Sequence, residues 1–124
     1  MAQLLTISPQ FLVRDLQESI SYYRDKLGFQ QQIDYENFYA SVARDSAEIH
    51  LKCAPTLPGQ REHQRDNNHL DAFVGVQDVD ALYAEIRSRG AKILQELETK
   101  PWGTRDMVVE DPDGYIICFA QLQA

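Results

Sequence analysis

The sequence predicts an α+β fold built from two tandem βαβββ modules, with curled mixed sheets around a ligand groove. Three observations carry this. Val13-Arg14-Asp15-Leu16 ends an apolar run and opens an amphipathic stretch, and Val76-Gln77-Asp78-Val79 does the same. The stretches stop at Gly28 and Gly90, so the Asp-to-Gly spacing is 13 residues in one and 12 in the other. Each is followed by three strand-like segments. The 124 residues then divide into module one (1–54), a linker (55–66) and module two (67–124) of a single domain.

Residues 4–13 read as the first strand. Asp15 is suited to cap the following helix, with Glu18 three positions on as its capping-box partner. Leu16, Ile20, Tyr23 and Leu27 fall at i, i+4, i+7 and i+11, on one helical face. Gly28 supplies the stop. Residues 29–35, 38–44 and 47–53 read as strands, with turns at Glu36-Asn37 and Arg44-Asp45-Ser46. The linker holds Pro55, Pro58, Gly59 and many charges without periodicity, and is expected to be the most mobile part of the chain.

The pattern then repeats. His69 to Val76 reads as a strand. Asp78 can cap a helix carrying Val79, Leu82, Tyr83 and Ile86 on one face. Residues 91–97, 103–110 and 115–122 read as strands. Pro101-Trp102-Gly103 separates the first two, and Asp111-Pro112-Asp113-Gly114 has the composition of a turn. Each helix has one apolar face and so covers one side of its sheet.

Bulk properties bound the function. Hydrophobic content of 44% and charged content of 25% fit a soluble globular domain. A net charge of −7 argues against nucleic acid, whose phosphates require a basic face, and suits a cationic ligand. No apolar run approaches the ~20 residues of a membrane span. The first residues lack the basic and apolar regions of a signal peptide. Cys53 and Cys118 do not form a CxxC pair, and fit a reduced, cytoplasmic setting as small core residues. Nucleophile elbow, Gly-rich loop and P-loop patterns are absent, and no catalytic residue is assigned.

The Asp15…Tyr22-Tyr23-Arg24…Leu27-Gly28-Phe29 segment and Glu110-Asp111-Pro112-Asp113-Gly114-Tyr115 resemble the vicinal oxygen chelate superfamily. That group includes glyoxalase I, extradiol dioxygenases, fosfomycin-resistance thiol transferases and bleomycin-resistance proteins. Leu82-Tyr83-Ala84-Glu85 and Pro101-Trp102-Gly103 are most similar to the bleomycin-binding branch. The resemblance implies a homodimer whose two clefts are shared between subunits and hold a drug-like small molecule unchanged.

Carried over residue by residue, the superfamily's metal-ligand positions fall on Ser8, His50, Asp71 (or His69) and Cys118. Ser8 is a poor ligand and Cys118 a soft one among harder groups. The resemblance therefore implies a metal-free binder with no cofactor. The alternative is a divalent-metal lyase, thiol transferase or dioxygenase using His50 with His69 or Asp71. The expected ligand-binding residues are Tyr35, Phe38, His50, Asp71, Trp102 and Arg105. Aromatic faces and a few charges are what a planar or cationic ligand requires. Asp71 would supply negative charge, while Asp34, Glu36 and Asp106 read as solvated rim residues.

Overall fold

The structure is a computed structural model that describes residues 1–56 and 61–122. The first sheet contains β1 (Gln10–Val13), β2 (Gln30–Tyr35), β3 (Tyr39–Arg44) and β4 (Ala47–Cys53), in the order β1-β4-β3-β2. The second contains β5 (Ala72–Gly75), β6 (Ile93–Thr99), β7 (Thr104–Glu110) and β8 (Ile116–Leu122), in the order β5-β8-β7-β6. The first strand of each sheet runs parallel to the last, and the other pairs are antiparallel. The strand order is thus repeated, as the sequence repeat implied.

The long helices α1 (Leu16–Asp25) and α3 (Val79–Ser88) lie between the two open sheets. Asp15 Oδ1 caps α1 by accepting from Glu18 N at 3.1 Å, and Asp78 Oδ1 caps α3 through Ala81 N at 3.1 Å. One continuous core joins Leu16, Ile20 and Tyr23 of α1, Val79 and Ile86 of α3, and the inward residues of both sheets, including Leu51 and Ile117. Burying each such side chain stabilises the fold by about 1.5–3 kcal/mol.

Each module's last hairpin turn reaches the other module's helix. Arg44, beside the β3–β4 turn, makes two bonds to Glu85 of α3, at 2.8 and 2.9 Å. The β7–β8 turn sits under α1: Tyr23 Oη donates to Asp111 Oδ2 at 2.7 Å, and Ser19 Oγ to Asp113 Oδ2 at 3.2 Å. Burial pushes the Asp111 carboxyl up to about 6, against the lowering effect of the Tyr115 and Asp113 backbone N–H groups and the Tyr23 hydroxyl. The same burial, reinforced by Asp111, holds the Tyr23 phenol well above its ordinary range.

Two expectations change. The first strand begins at Gln10, not at residue 4, because β4 offers it partners only from His50 to Cys53. Residues 1–9 lie outside any element, and Leu4, Leu5 and Ile7 are exposed. The linker, expected to lack regular structure, contains the short helix α2 (Arg61–Asp66). Arg61 anchors it, stacking 4.5 Å over the Tyr115 ring and bonding Asp71. The linker's Pro58 and Gly59 lie outside the described residues. No helix among the described residues is long and apolar enough to cross a membrane.

Candidate functional site

The helices cover the inner face of each sheet, so strand alternation sends every second side chain to an outer face. In β7 and β8, Met107, Val109, Ile117 and Phe119 join the inner core. Val108, Ile116, Cys118 and Ala120 form a second buried cluster on the outer face, with Leu94 against it. Phe73 of β5 is the register partner of Cys118 and shares that face. Val108, Ile116, Cys118, Leu94 and Phe73 line, with Trp102 and Leu70, a groove of about 500 Å³, with Arg65, Lys100 and Asp106 as its charged members.

The Trp102 position is set by a tight turn. Lys100 N donates to Thr104 O at 2.6 Å and Gly103 N to Lys100 O at 3.1 Å. Gly103 has φ of 101°, a conformation that glycine adopts without steric cost. Trp102 is left 71% exposed at the groove mouth, with Lys100 Nζ 5.8 Å from its ring centroid.

On the outer face of the first sheet, polar groups form a chain. Gln10 Nε2 donates to Tyr39 Oη at 3.1 Å, Tyr39 Oη lies 2.7 Å from His50 Nδ1, and His50 Nε2 lies 3.1 Å from Glu48 Oε1. Ser8 Oγ also donates to Glu48, at 3.1 Å. A carboxylate only accepts, so Nε2 carries the proton, and in a neutral imidazole Nδ1 accepts from Tyr39. Tyr35 pairs with Tyr39 across β2 and β3, and Lys52 Nζ lies 5.6 Å from the Phe38 ring centroid.

The six expected binding residues are therefore distributed rather than gathered. Tyr35, Phe38 and His50 share the outer side of the first sheet, and Trp102 stands at the groove of the second. Asp71 does not offer a free carboxylate: its Oδ2 accepts from Arg61 Nη1 and from Ile116 N, both at 2.9 Å. It ties α2 to β8. Arg105 projects to the helix side of β7, where its Nε and Nη2 bond Asp80 at 3.1 and 2.8 Å. Arg105 thus lies on the opposite face from the groove, because one step along a strand exchanges faces.

That same step puts Asp106, expected as a solvated rim residue, on the groove side. Asp106 is only 6% exposed and lines the groove floor, with Oδ2 accepting from Thr104 Oγ1 at 2.8 Å. The alternation of Asp106 with Val108 was the available signal.

The superfamily's metal positions are split between the sheets, Ser8 and His50 at the first, where Ser8 reaches Glu48 from outside the strands, and Asp71, just before β5, and Cys118 at the second. Burial and the neighbouring Asp106 carboxylate raise the Cys118 thiol to about 11, so it is protonated at neutral pH. Among the described residues no group of three or more His, Cys, Asp or Glu side chains is arranged to hold a metal.

Comparison with known proteins agrees with the motifs. The family described as the glyoxalase/bleomycin resistance protein/dioxygenase superfamily matches residues 5–119. Bleomycin resistance proteins of Geobacillus stearothermophilus and Staphylococcus aureus are 31% identical over 132 residues, spanning 95% of this chain and 97% of theirs. Among solved structures, a bleomycin-binding protein complexed with bleomycin has a TM-score of 0.76 at 18% identity, covering 98% of this chain and 100% of its own. The bleomycin-binding protein of bleomycin-producing Streptomyces verticillus, complexed with copper(II)-bleomycin, has a TM-score of 0.72 at 22% identity, covering 100% of this chain and 99% of its own. At these identities the structures share the fold. This chain belongs to the glyoxalase/bleomycin resistance protein/dioxygenase superfamily.

Proposed function

We propose that this protein is a cytoplasmic binding protein that sequesters a drug-like aromatic or cationic molecule without altering it, using the groove beside Trp102. The observation that carries this reading is the groove itself: an apolar floor on an outer sheet face, with an exposed indole at its mouth. Such a site suits stacking and desolvation of a planar ligand. The curated relatives at 31% identity are bleomycin resistance proteins, which makes bleomycin-class antibiotics the first compounds to try.

In this reading the protein works as a homodimer, with the outer face of one copy's first sheet, including Tyr35, Phe38 and His50, closing the groove of the other. It needs no metal or cofactor. The protonated Cys118 thiol and the engagement of Asp71 with Arg61 support that part.

Trp102 is the only tryptophan in the chain, so its fluorescence reports on the groove directly. Titration with bleomycin should give a saturable change, and the drug should be recovered unmodified. No response to any bleomycin-class compound would remove the antibiotic assignment. Sedimentation should give twice the 14.2 kDa chain mass at micromolar concentration. A monomer that still binds would remove the shared groove.

A further inference from the structure

Three charged side chains line the groove. Arg65 has its own carboxylate partners, Glu110 at 3.4 Å and Asp66 at 3.7 Å. Lys100 has Glu98 at 3.8 Å. Asp106 is the most buried of the three and has no ion-pair partner among the described residues; Thr104 Oγ1 donates to its Oδ2. A buried carboxylate with no direct ion pair is costly, and native structures ordinarily provide a partner.

The orientation of Asp106 is fixed from behind. Arg105, its neighbour on β7, is held to Asp80 of α3 on the opposite face, so Asp106 is directed at the groove. The Trp102 ring also has a cation near it, since the Lys100 ammonium lies 5.8 Å from its centroid. A positive charge is attracted to an indole face. Lys100 and Asp106 act in opposite senses on the Cys118 thiol, which places both charges in one electrostatic neighbourhood.

We infer that Asp106 and the Trp102 ring form a cation subsite, selecting ligands that carry an amidinium, guanidinium or ammonium group on a planar aromatic body, with Lys100 as the resident competitor. This rests on the groove reading above and names the determinant of its specificity. The entering group donates to Asp106, the aromatic body lies against Trp102, and the Lys100 ammonium is displaced toward Glu98 and solvent.

The probes are 2-naphthamidine and 2-naphthamide, planar isosteres that differ by one positive charge. Affinities are measured by calorimetry and by Trp102 fluorescence on the full chain. The amidine should bind at least about tenfold more tightly than the amide, equivalent to about 1.4 kcal/mol. Asp106→Asn keeps the shape and the Thr104 bond, and should bring the two affinities to within about twofold. Lys100→Met removes the competing charge without touching the buried floor, and should widen the amidine preference. That variant tests the inference even if Asp106→Asn fails to fold. Equal binding of the two probes, an amidine preference that survives Asp106→Asn, or a Lys100→Met preference no wider than in the parent would overturn the cation subsite and leave the groove reading standing. Failure of both probes to bind or to perturb Trp102 would overturn the groove reading, and this inference with it.

Discussion

The outer faces of the two sheets share a strand order and little else. On the first, Gln10, Tyr39, His50, Glu48 and Ser8 form a run of polar contacts across β1, β3 and β4. On the second, Val108, Ile116, Cys118 and Ala120 make an apolar cluster, the first three lining the groove with the Asp106 carboxylate beside them. The inner faces, by contrast, both supply aliphatic residues to one core. The difference shows where constraint acts in a repeated module. Inward positions must fill a shared interior at close packing, so both copies retain the same chemistry there. Outward positions carry no such requirement and are free to differ.

The largest expected effect tests the sameness of the inner faces. Ile49 of β4 and Ile117 of β8 are both almost fully buried, at 3% and 0% exposure. Ile49→Ala and Ile117→Ala should each cost about 2–5 kcal/mol in denaturant unfolding, through lost burial and an unfilled cavity. If one were near neutral, the two inner faces would not be energetic equivalents.

The next test concerns the docking turns, where the modules solve one problem with different chemistry. Arg44 and Glu85 are each about a third exposed, so Arg44→Ala should cost within about 1 kcal/mol, and less at high salt. Asp111 is buried, and its folded pKa of about 6 lies above the ordinary 3.8. The folded state therefore holds this proton more tightly than the unfolded state. Its contribution is fully present below about pH 4 and is lost as pH rises through 6, on the order of 3 kcal/mol in all. Asp111→Asn cannot ionise. Subtracting the variant's unfolding free energy from that of the parent should give a difference that falls across this window. A flat difference would mean that the buried turn is no more pH-sensitive than the exposed one.

Much of this architecture was legible because the signals were local. Both cap aspartates bond the N–H three residues on, and Leu16, Ile20, Tyr23 and Leu27 are all buried, as their spacing required. The turn at Glu36 and Asn37 takes positive φ at both residues, 50° and 55°, in keeping with the predicted hairpin. What was not legible was non-local or depended on strand phase. Asp71 is held by Ile116 N, 45 positions away, and no nearby residue announces that bond. Thr104, Arg105 and Asp106 precede Met107-Val108-Val109, an unbroken apolar run, so although Asp106 alternates with Val108 nothing in the sequence says which of the two strand faces meets the helices. The helix α2 spans six residues, too few for a period to show.

The smallest stability effect has the greatest functional weight. Trp102 and Phe38 are large apolar side chains left exposed on loops beside the two outer faces. Neither belongs to the buried core, so Trp102→Ala and Phe38→Ala should each change unfolding free energy by within about 0.5 kcal/mol. Their consequences for binding should separate. Trp102→Ala removes the groove's indole within the same chain and should weaken ligand binding whatever the oligomeric state. Phe38 lies on the β2–β3 turn beside the other sheet and does not line this groove, so in the proposed dimer it would act on the partner's groove. Phe38→Ala should therefore weaken binding only while the protein is dimeric, as seen by comparing calorimetric affinities above and below the dissociation concentration. If Phe38→Ala never affects binding, the first sheet's outer face has no part in the site. The asymmetry between the faces would then mean one groove per chain and not two halves of a shared one.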